Sequence, residues 1–515
     1  MSSLKKTALI ITIISLICKL FGFGREIVLA YFFGTSFIVD VYLMASSIPG
    51  ILFGWLTSLS VSFVPIYTDI REKQGIDKSR QFINNIISLI ISISVLCIFV
   101  GIIFNEQIVS VTASGFKGEA FELTSQYLNI SIWTVLFVAP IQILVSYLNC
   151  NDGFIQSSVS TLVISSAQLL TIVIAGLFNN MILIYGILIS NIIQFIVVYI
   201  FSYKKDIRLK FTLSFTPEIK KTFIIVIPIF ISSMITQIGV FIDKSFASSL
   251  SEGSIAALNY GAIVKGFILT TFSIAITTMI YPMLSQAVAE KNMTKLKAIF
   301  FKGVNIIIIL FVPITIGAII LAQPAISFVF ERGEFGSSST IMTTSAFIAY
   351  VIGLLAFALR DVVIKVFYSM QDTKPMLFIS AIALFLDIIF NIILIKPMGH
   401  VGLALGTSLS AIITVPIFFV VLRNKIGALG LKNILILFVK ACISTLAMGL
   451  VVYFGYNYML SSFVDGKMTT LFTIVLLSGF GGLIYFVLMI VLRVKEIDFF
   501  TDMVKKVFRK IIKKV

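Results

Sequence analysis

The stretch LIITIISLICKLFGFGREIVLAYFFG, residues 9–34, decides the fold. It is long enough to span a bilayer, which takes about 20 apolar residues. Yet Lys19, Arg25 and Glu26 stand near its middle, around Gly22-Phe23-Gly24. The next apolar segment opens with Asp40. A charge at bilayer depth costs roughly 2.5–3.5 kcal/mol on insertion scales, so it faces a wet cavity and marks a substrate path. The basic balance of this set points to an anionic substrate. The two glycines predict a broken helix, whose freed N–H groups would add to the cations.

Working outward, the whole chain reads as membrane protein. Of its 515 residues 59% are hydrophobic and 12% charged, with a mean hydropathy of +1.09. Soluble domains hold about 25% charged residues. Bilayer-length apolar segments recur about fourteen times, the last ending near residue 492. An even number puts both termini on one side. Alternate assignment places roughly 27 Lys and Arg on that side and about 5 on the other, so the termini are expected in the cytoplasm. The net charge of +16 sits in short loops and at the C-terminus, where topology and lipid headgroups account for it. Nucleic acid is not an expected partner. Cys18, Cys97, Cys150 and Cys442 have no metal spacing, and His400 alone cannot build a zinc site. Lys5 and Lys6 ahead of an apolar run resemble a signal peptide, but the run is too long and lacks a cleavage site. It reads as an uncleaved first span.

The order of motifs repeats. Pro65, Lys78 and Arg80 precede one span as Pro282, Lys295 and Lys297 precede another. Tyr147-Leu-Asn-Cys-Asn-Asp152 matches Phe367-Tyr-Ser-Met-Gln-Asp372, and Gly186 and Gly402 open similar spans. The expected architecture is all-α and polytopic, with two parallel six-helix repeats. Residues 1–205 form an N-lobe and 206–425 a C-lobe. Residues 426–492 add two helices, and 493–515 form a basic amphipathic helix on the cytoplasmic leaflet. In that tail Phe500, Met503, Val504, Val507, Phe508 and Ile511 recur at helical spacing, opposite Lys505, Lys506, Arg509 and Lys510. Parallel repeats bind substrate at their interface and rock between inward- and outward-open states.

Two sets of site residues follow. Lys19, Arg25, Glu26, Asp40 and Lys265 are the expected substrate-binding set, since a pyrophosphate needs fixed cations. The bland alternative is that Arg25–Glu26 and Lys19–Asp40 are structural ion pairs. Arg360, Asp361 and Lys365 stand in a later span as secondary candidates. Asp387 and Asn391, one turn apart, share a helix face. With Thr407 and Asp243 they offer oxygen-only ligands that suit a hard cation such as sodium. Proton coupling through one carboxylate is the variant, and interhelical hydrogen bonding is the bland reading.

Longer motifs carry a family resemblance. Lys19-Leu-Phe-Gly22-Phe-Gly-Arg25-Glu26, Ala30-Tyr-Phe-Phe-Gly34, Asp40, Pro49 and Phe63-Val-Pro65 resemble the MurJ lipid II flippases. So do Phe330-Glu-Arg-Gly-Glu-Phe335, Phe367-Tyr-Ser-Met-Gln-Asp-Thr-Lys374 and Gly399-His-Val-Gly-Leu-Ala-Leu405. The resemblance spans essentially the whole chain. It implies a member of the multidrug/oligosaccharidyl-lipid/polysaccharide exporter superfamily, in the bacterial inner membrane. It also implies an undecaprenyl-pyrophosphate-linked saccharide as substrate, flipped by alternating access. Of the family's cavity arginines, Arg25 is kept and Lys19 replaces another. A third falls in Gly50-Ile51-Leu52-Phe53-Gly54, and a fourth at Ile263, two residues before Lys265. Ser58 replaces an acidic residue.

The expected activity is thus a flippase, a transporter rather than an enzyme, acting as a monomer among membrane lipids. No Gly-rich phosphate loop accompanies it, so no nucleotide is expected. Three alternatives remain: a flippase for another lipid-linked surface polysaccharide, a multidrug/cation antiporter of the same superfamily, and a membrane glycan polymerase. An antiporter would want an acidic cavity. A polymerase would need catalytic residues on an outside loop. The longest, about 106–124, holds Glu106, Lys117, Glu119 and Glu122 without a histidine.

Overall fold

In a bilayer every backbone polar group must be satisfied within the chain, so apolar spans become helices. The computed structural model describes residues 2–372, 374–462, 466–494 and 496–497. The amphipathic tail expected over 493–515 falls almost wholly outside these residues. The first half of the chain holds α1 (Ser2–Phe33), α2 (Phe37–Phe53), α3 (Leu59–Gln74), α4 (Ile76–Ile103), α5 (Asn105–Thr112), α6 (Glu119–Ser131), α7 (Val135–Cys150), α8 (Phe154–Leu177) and α9 (Met181–Tyr203). The second holds α10 (Pro217–Ser248), α11 (Ser254–Ala289), α12 (Met293–Ile320), α13 (Ala322–Phe330), α14 (Ser337–Ile352), α15 (Leu354–Ser369), α16 (Lys374–Met398) and α17 (His400–Ile426). Then come α18 (Leu431–Ser462) and α19 (Lys467–Val491).

Among the described residues eleven helices are long and apolar enough to cross a membrane. The pair α14–α15, bent by 46° at its break, makes a twelfth. With α1 and α10, each 32 residues long, these elements correspond to the fourteen apolar segments.

The internal repeat is written in the helix bounds. Helices α1 and α10 have equal length, and so do α4 and α12, at 28 residues each. Pro65 stands to Pro282 as Ile76, the start of α4, stands to Met293, the start of α12. The later match is one residue out of register. Val135 and Cys150 bound α7 as Leu354 and Ser369 bound α15. Both helices then close alike: the Gly153 N–H donates to the Leu148 carbonyl and the Asp372 N–H to the Phe367 carbonyl. Each closure runs through one residue at positive φ, Asp152 or Gln371. Phe367 therefore corresponds to Leu148, not Tyr147. Gly186 and Gly402 sit at different positions along their helices, but each lets its helix approach the one before it. A Cβ at Gly186 would fall 2.4 Å from the Thr171 hydroxyl oxygen, and one at Gly402 2.3 Å from the Leu394 carbonyl oxygen.

Of the described residues, those up to 257 with 332–339 form one compact unit, and 258–331 with those from 340 onward form another. The first is cored by a ring stack, with Phe63 lying 5.3 Å from Tyr67 and 5.8 Å from Phe82, and Tyr147 edge-on to Tyr67 at 5.7 Å. In the second, Phe300 packs on Phe419 at 5.7 Å. There the buried Tyr485 hydroxyl of α19 donates to the Ile309 carbonyl at 2.9 Å, tying the last helix to α12.

Candidate functional site

Helix α1 is continuous from Ser2 to Phe33, so the break expected at Gly22–Gly24 does not occur. Each mid-helix glycine costs about 1 kcal/mol, but unpairing backbone groups at membrane depth costs several. No freed N–H groups are on offer there, and the cations are left to act through their side chains.

Arg25 is held from two sides. Its Nε donates to Glu26 Oε1 at 3.0 Å, Nη2 donates to the same oxygen, and Nη1 donates to Gln168 Oε1 of α8 at 2.6 Å. Glu26 is only 3% exposed, whereas about a third of the Arg25 side chain remains open. A guanidinium carries five N–H donors. Three are spent here, which leaves one on each terminal nitrogen. The expected Arg25–Glu26 pair is thus present, and the fork keeps two donors in hand. A Cβ at Gly24 would lie 3.6 Å from Leu169 Cδ1, so α1 and α8 lie close where Gln168 meets Arg25. Nothing in the sequence singled out Gln168. The available signal is an amide within an apolar span.

Lys19 is exposed on α1. Six residues separate it from Arg25, which turns it about 120° around the helix. The two cations therefore do not share a face. Lys19 and Asp40 form no ion pair among the described residues.

Asp40 serves the backbone instead. It is 5% exposed, and its carboxylate accepts from the Gly253 N–H and the Ala256 N–H, each at 2.7 Å. These are the free donors at the start of α11, where a carboxylate satisfies both the orphan N–H groups and the helix dipole. Glu252 returns the arrangement, its Oε1 accepting from the Phe37 N–H at the start of α2 at 2.8 Å. Beside them two of the motifs that carry the family resemblance meet, Ala30–Gly34 and Phe330–Phe335. The Glu334 N–H donates to the Tyr31 carbonyl at 2.9 Å. Gly34 and Gly333 both adopt positive φ there, and a Cβ on either would strike the opposing carbonyl at 2.4 or 2.3 Å. Lys244 of α10, also missed in the sequence, donates to the Leu43 carbonyl at 2.7 Å.

The second unit holds its cations differently. Lys265 of α11 lies 4.9 Å from the Tyr350 ring and 4.6 Å from the Phe357 ring, and Arg360 lies over the same Phe357 ring at 5.6 Å. Asp361 accepts from the Ser273 hydroxyl at 3.2 Å. Lys365 lies over the rings of Tyr281 and Tyr368 at 5.5 and 5.7 Å. Nearby opens an apolar cavity of about 430 Å³, lined by Phe272, Pro313, Gly317, Met448, Gly481 and Tyr485 among others.

Asp387 and Asn391 are both buried on α16, one turn apart. Thr407 stands on the next helix, and its hydroxyl donates to the Leu403 carbonyl at 3.1 Å. Gly406 brings the two helices together: a Cβ there would lie 2.5 Å from Asn391 Oδ1. Asp243 belongs to α10, in the other unit.

Comparison with known proteins places this arrangement. The "Probable lipid II flippase MurJ" of Rickettsia prowazekii is 29% identical over 420 residues, covering 79% of this chain and 82% of that one. The "Probable lipid II flippase MurJ" of Buchnera aphidicola subsp. Schizaphis graminum is 27% identical, covering 93% and 95%. Among solved structures, "Lipid II flippase MurJ, inward closed conformation" superposes with a TM-score of 0.80 at 23% identity, over 96% of this chain and all of that one. An inward-facing multidrug resistance MATE family transporter of the MOP superfamily superposes at 0.67 and 16% identity, over 82% and 98%; at these identities the likeness is one of fold. Residues 29–474 match the family model described as lipid II flippase MurJ, and the chain belongs to that family.

Proposed function

We propose that this transporter moves a polyprenyl-pyrophosphate-linked cell-wall precursor, lipid II, from the cytoplasmic to the outer leaflet by alternating access. The observation that carries the reading is the set of intramembrane cations, Lys19 and Arg25 on α1 with Lys265 and Arg360 on α11 and α15. A diphosphate offers several anionic oxygens, and charge-assisted hydrogen bonds to them are about twice as strong as neutral ones. The two unspent N–H donors of Arg25 suit paired phosphate oxygens. The apolar cavity of the second unit has the lining an isoprenoid tail requires. A drug/cation antiporter would need the opposite cavity charge.

In this reading the chain works as a monomer with both termini in the cytoplasm, as the Lys and Arg bias requires. A cysteine at Gly75 should then resist an impermeant thiol reagent in intact cells, while one at Gly118 reacts. Labelling at Gly75 would reverse the orientation. Asp387, Asn391 and Thr407 of the second unit would hold a coupling cation. Their fit rests on chemistry: the buried carboxylate and amide oxygens of Asp387 and Asn391, with the half-buried Thr407 hydroxyl, suit sodium. The ion would lend its binding energy to one conformation over the other.

Complementation tests the function. The chain should restore growth to cells depleted of their lipid II flippase. It should also give lipid II in proteoliposomes access to the opposite leaflet. Flipping of other polyprenyl-pyrophosphate glycans without lipid II would shift the substrate to another surface polysaccharide.

A further inference from the structure

The linker between α9 and α10 is built like an edge strand with no sheet. Over Lys210–Ser214 its backbone lies along α4, held by side chains of that helix. The Lys210 N–H donates to Asn84 Oδ1 at 3.2 Å, the Thr212 N–H to the Ser88 hydroxyl at 3.0 Å, and the Ser214 N–H to Asn85 Oδ1 at 2.8 Å. Asn85 Nδ2 donates back to the Ser214 carbonyl. Alternate N–H groups are thus satisfied by one polar face of α4. Phe211, Leu213 and Phe215 stand clear, 68%, 55% and 88% exposed, and the side chains of Lys210, Thr212 and Ser214 between them are exposed as well.

Depth and charge say what covers them. Helix α4 is 28 residues long, about 42 Å at 1.5 Å per residue, against a hydrocarbon core of about 30 Å. Its surplus lies at the end carrying Asp77, Lys78 and Arg80. Asn84 stands about 12 Å along the helix from that end, which sets the linker at the boundary of headgroups and acyl chains. Lys204, Arg208, Lys210 and Lys220 flank the apolar triplet, all exposed. Three apolar side chains at that depth, in a segment whose cations outnumber its two carboxylates, Asp206 and Glu218, fit one partner, a leaflet of anionic phospholipid.

We propose that residues 207–216 form an interfacial strap, with Phe211, Leu213 and Phe215 inserted among acyl chains and the flanking cations on anionic headgroups. The strap ends at Thr216, whose hydroxyl caps α10 by accepting from the Ile219 N–H at 3.4 Å. The anionic leaflet thereby gains a hold on the start of α10.

The test places tryptophan at Phe215 (Phe215→Trp) in the full-length protein, with Trp55→Phe and Trp133→Phe removing the native signal. The same is done at Leu213, in case one site perturbs the fold. The protein is reconstituted in phosphatidylcholine vesicles containing a minor fraction of acyl-brominated phosphatidylglycerol or, separately, of brominated phosphatidylcholine. Brominated phosphatidylglycerol should quench about twofold more than brominated phosphatidylcholine at equal fraction. Lys204→Gln, Arg208→Gln, Lys210→Gln and Lys220→Gln together should erase that preference. Quenching by aqueous iodide but by neither lipid would overturn the proposal. So would equal quenching by the two lipids. Shielding that vanishes on dilution, or on removal of residues 498–515, would show a second copy or the tail as the cover and would overturn it too.

Discussion

The two halves of the chain hold their intramembrane cations by opposite means. In the first, Arg25 is fixed by a buried carboxylate and an amide. In the second, Lys265 and Arg360 rest on ring faces around Phe357. A carboxylate fixes both the position and the direction of a guanidinium, but it cancels the charge. A ring face holds a cation less firmly and leaves its charge whole. The first arrangement gives oriented donors; the second leaves its cations on ring faces, with Asp361 beside Arg360.

The contrast has a measurable form in stability. Arg25→Ala takes the cation away from Glu26, which is buried and acidic, and breaking such a pair costs about 3–5 kcal/mol. Phe357→Leu removes only a ring face, worth up to about 2 kcal/mol when desolvated. Thermal unfolding in detergent should therefore rank Arg25→Ala well below Phe357→Leu. Equal losses would erase the distinction between the halves.

A second comparison sets the glycines of the repeat against each other. Gly402→Ala drives a methyl against the Leu394 backbone carbonyl, whereas Gly186→Ala meets a threonine side chain. Backbone yields less readily, so Gly402→Ala should lose roughly 1–3 kcal/mol and Gly186→Ala less. The same melting series reads both, and a reversed order would contradict the packing described.

A further effect concerns the coupling ion and its candidate ligands on α16 and α17. Sodium bound only by the folded state raises its stability by about 2.7 kcal/mol at a hundredfold excess over Kd. Parent protein should melt higher in sodium than in potassium, and Asp387→Ala should remove the difference. An unchanged sodium response in the variant would exclude Asp387 as a ligand.

Much of this was legible in the sequence because membranes punish charge. Arg25, Glu26 and Lys265 stood out against an apolar background, and the repeat of Pro65 with Pro282 held its register in the helix bounds. What stayed hidden has physical causes. Gly22 and Gly24 looked like a break because glycine is costly in a water-exposed helix, but a bilayer enforces the backbone ladder regardless. The role of Asp40 as a cap for α11 lies 213 residues away along the chain, and no local pattern encodes it. Gln168 and Lys244 are ordinary polar residues until their distant partners are known. The register slip at Tyr147 arose because Tyr147 and Phe367 look alike, while the backbone closure that sets the true register leaves no side-chain signature.

The central claim is that Arg25 grips the substrate with the donors Glu26 leaves unspent. Arg25→Ala alone confounds that with the loss of stability. The decisive protein is Arg25→Ala with Glu26→Gln, which removes cation and anion together and leaves no stranded charge. Its lipid II flipping in proteoliposomes should be measured beside its melting temperature and beside Arg25→Lys. The account expects the double variant to melt close to the parent yet flip little or no lipid II, with Arg25→Lys retaining part of the activity. A double variant that is stable and flips lipid II at the parent's rate would contradict it.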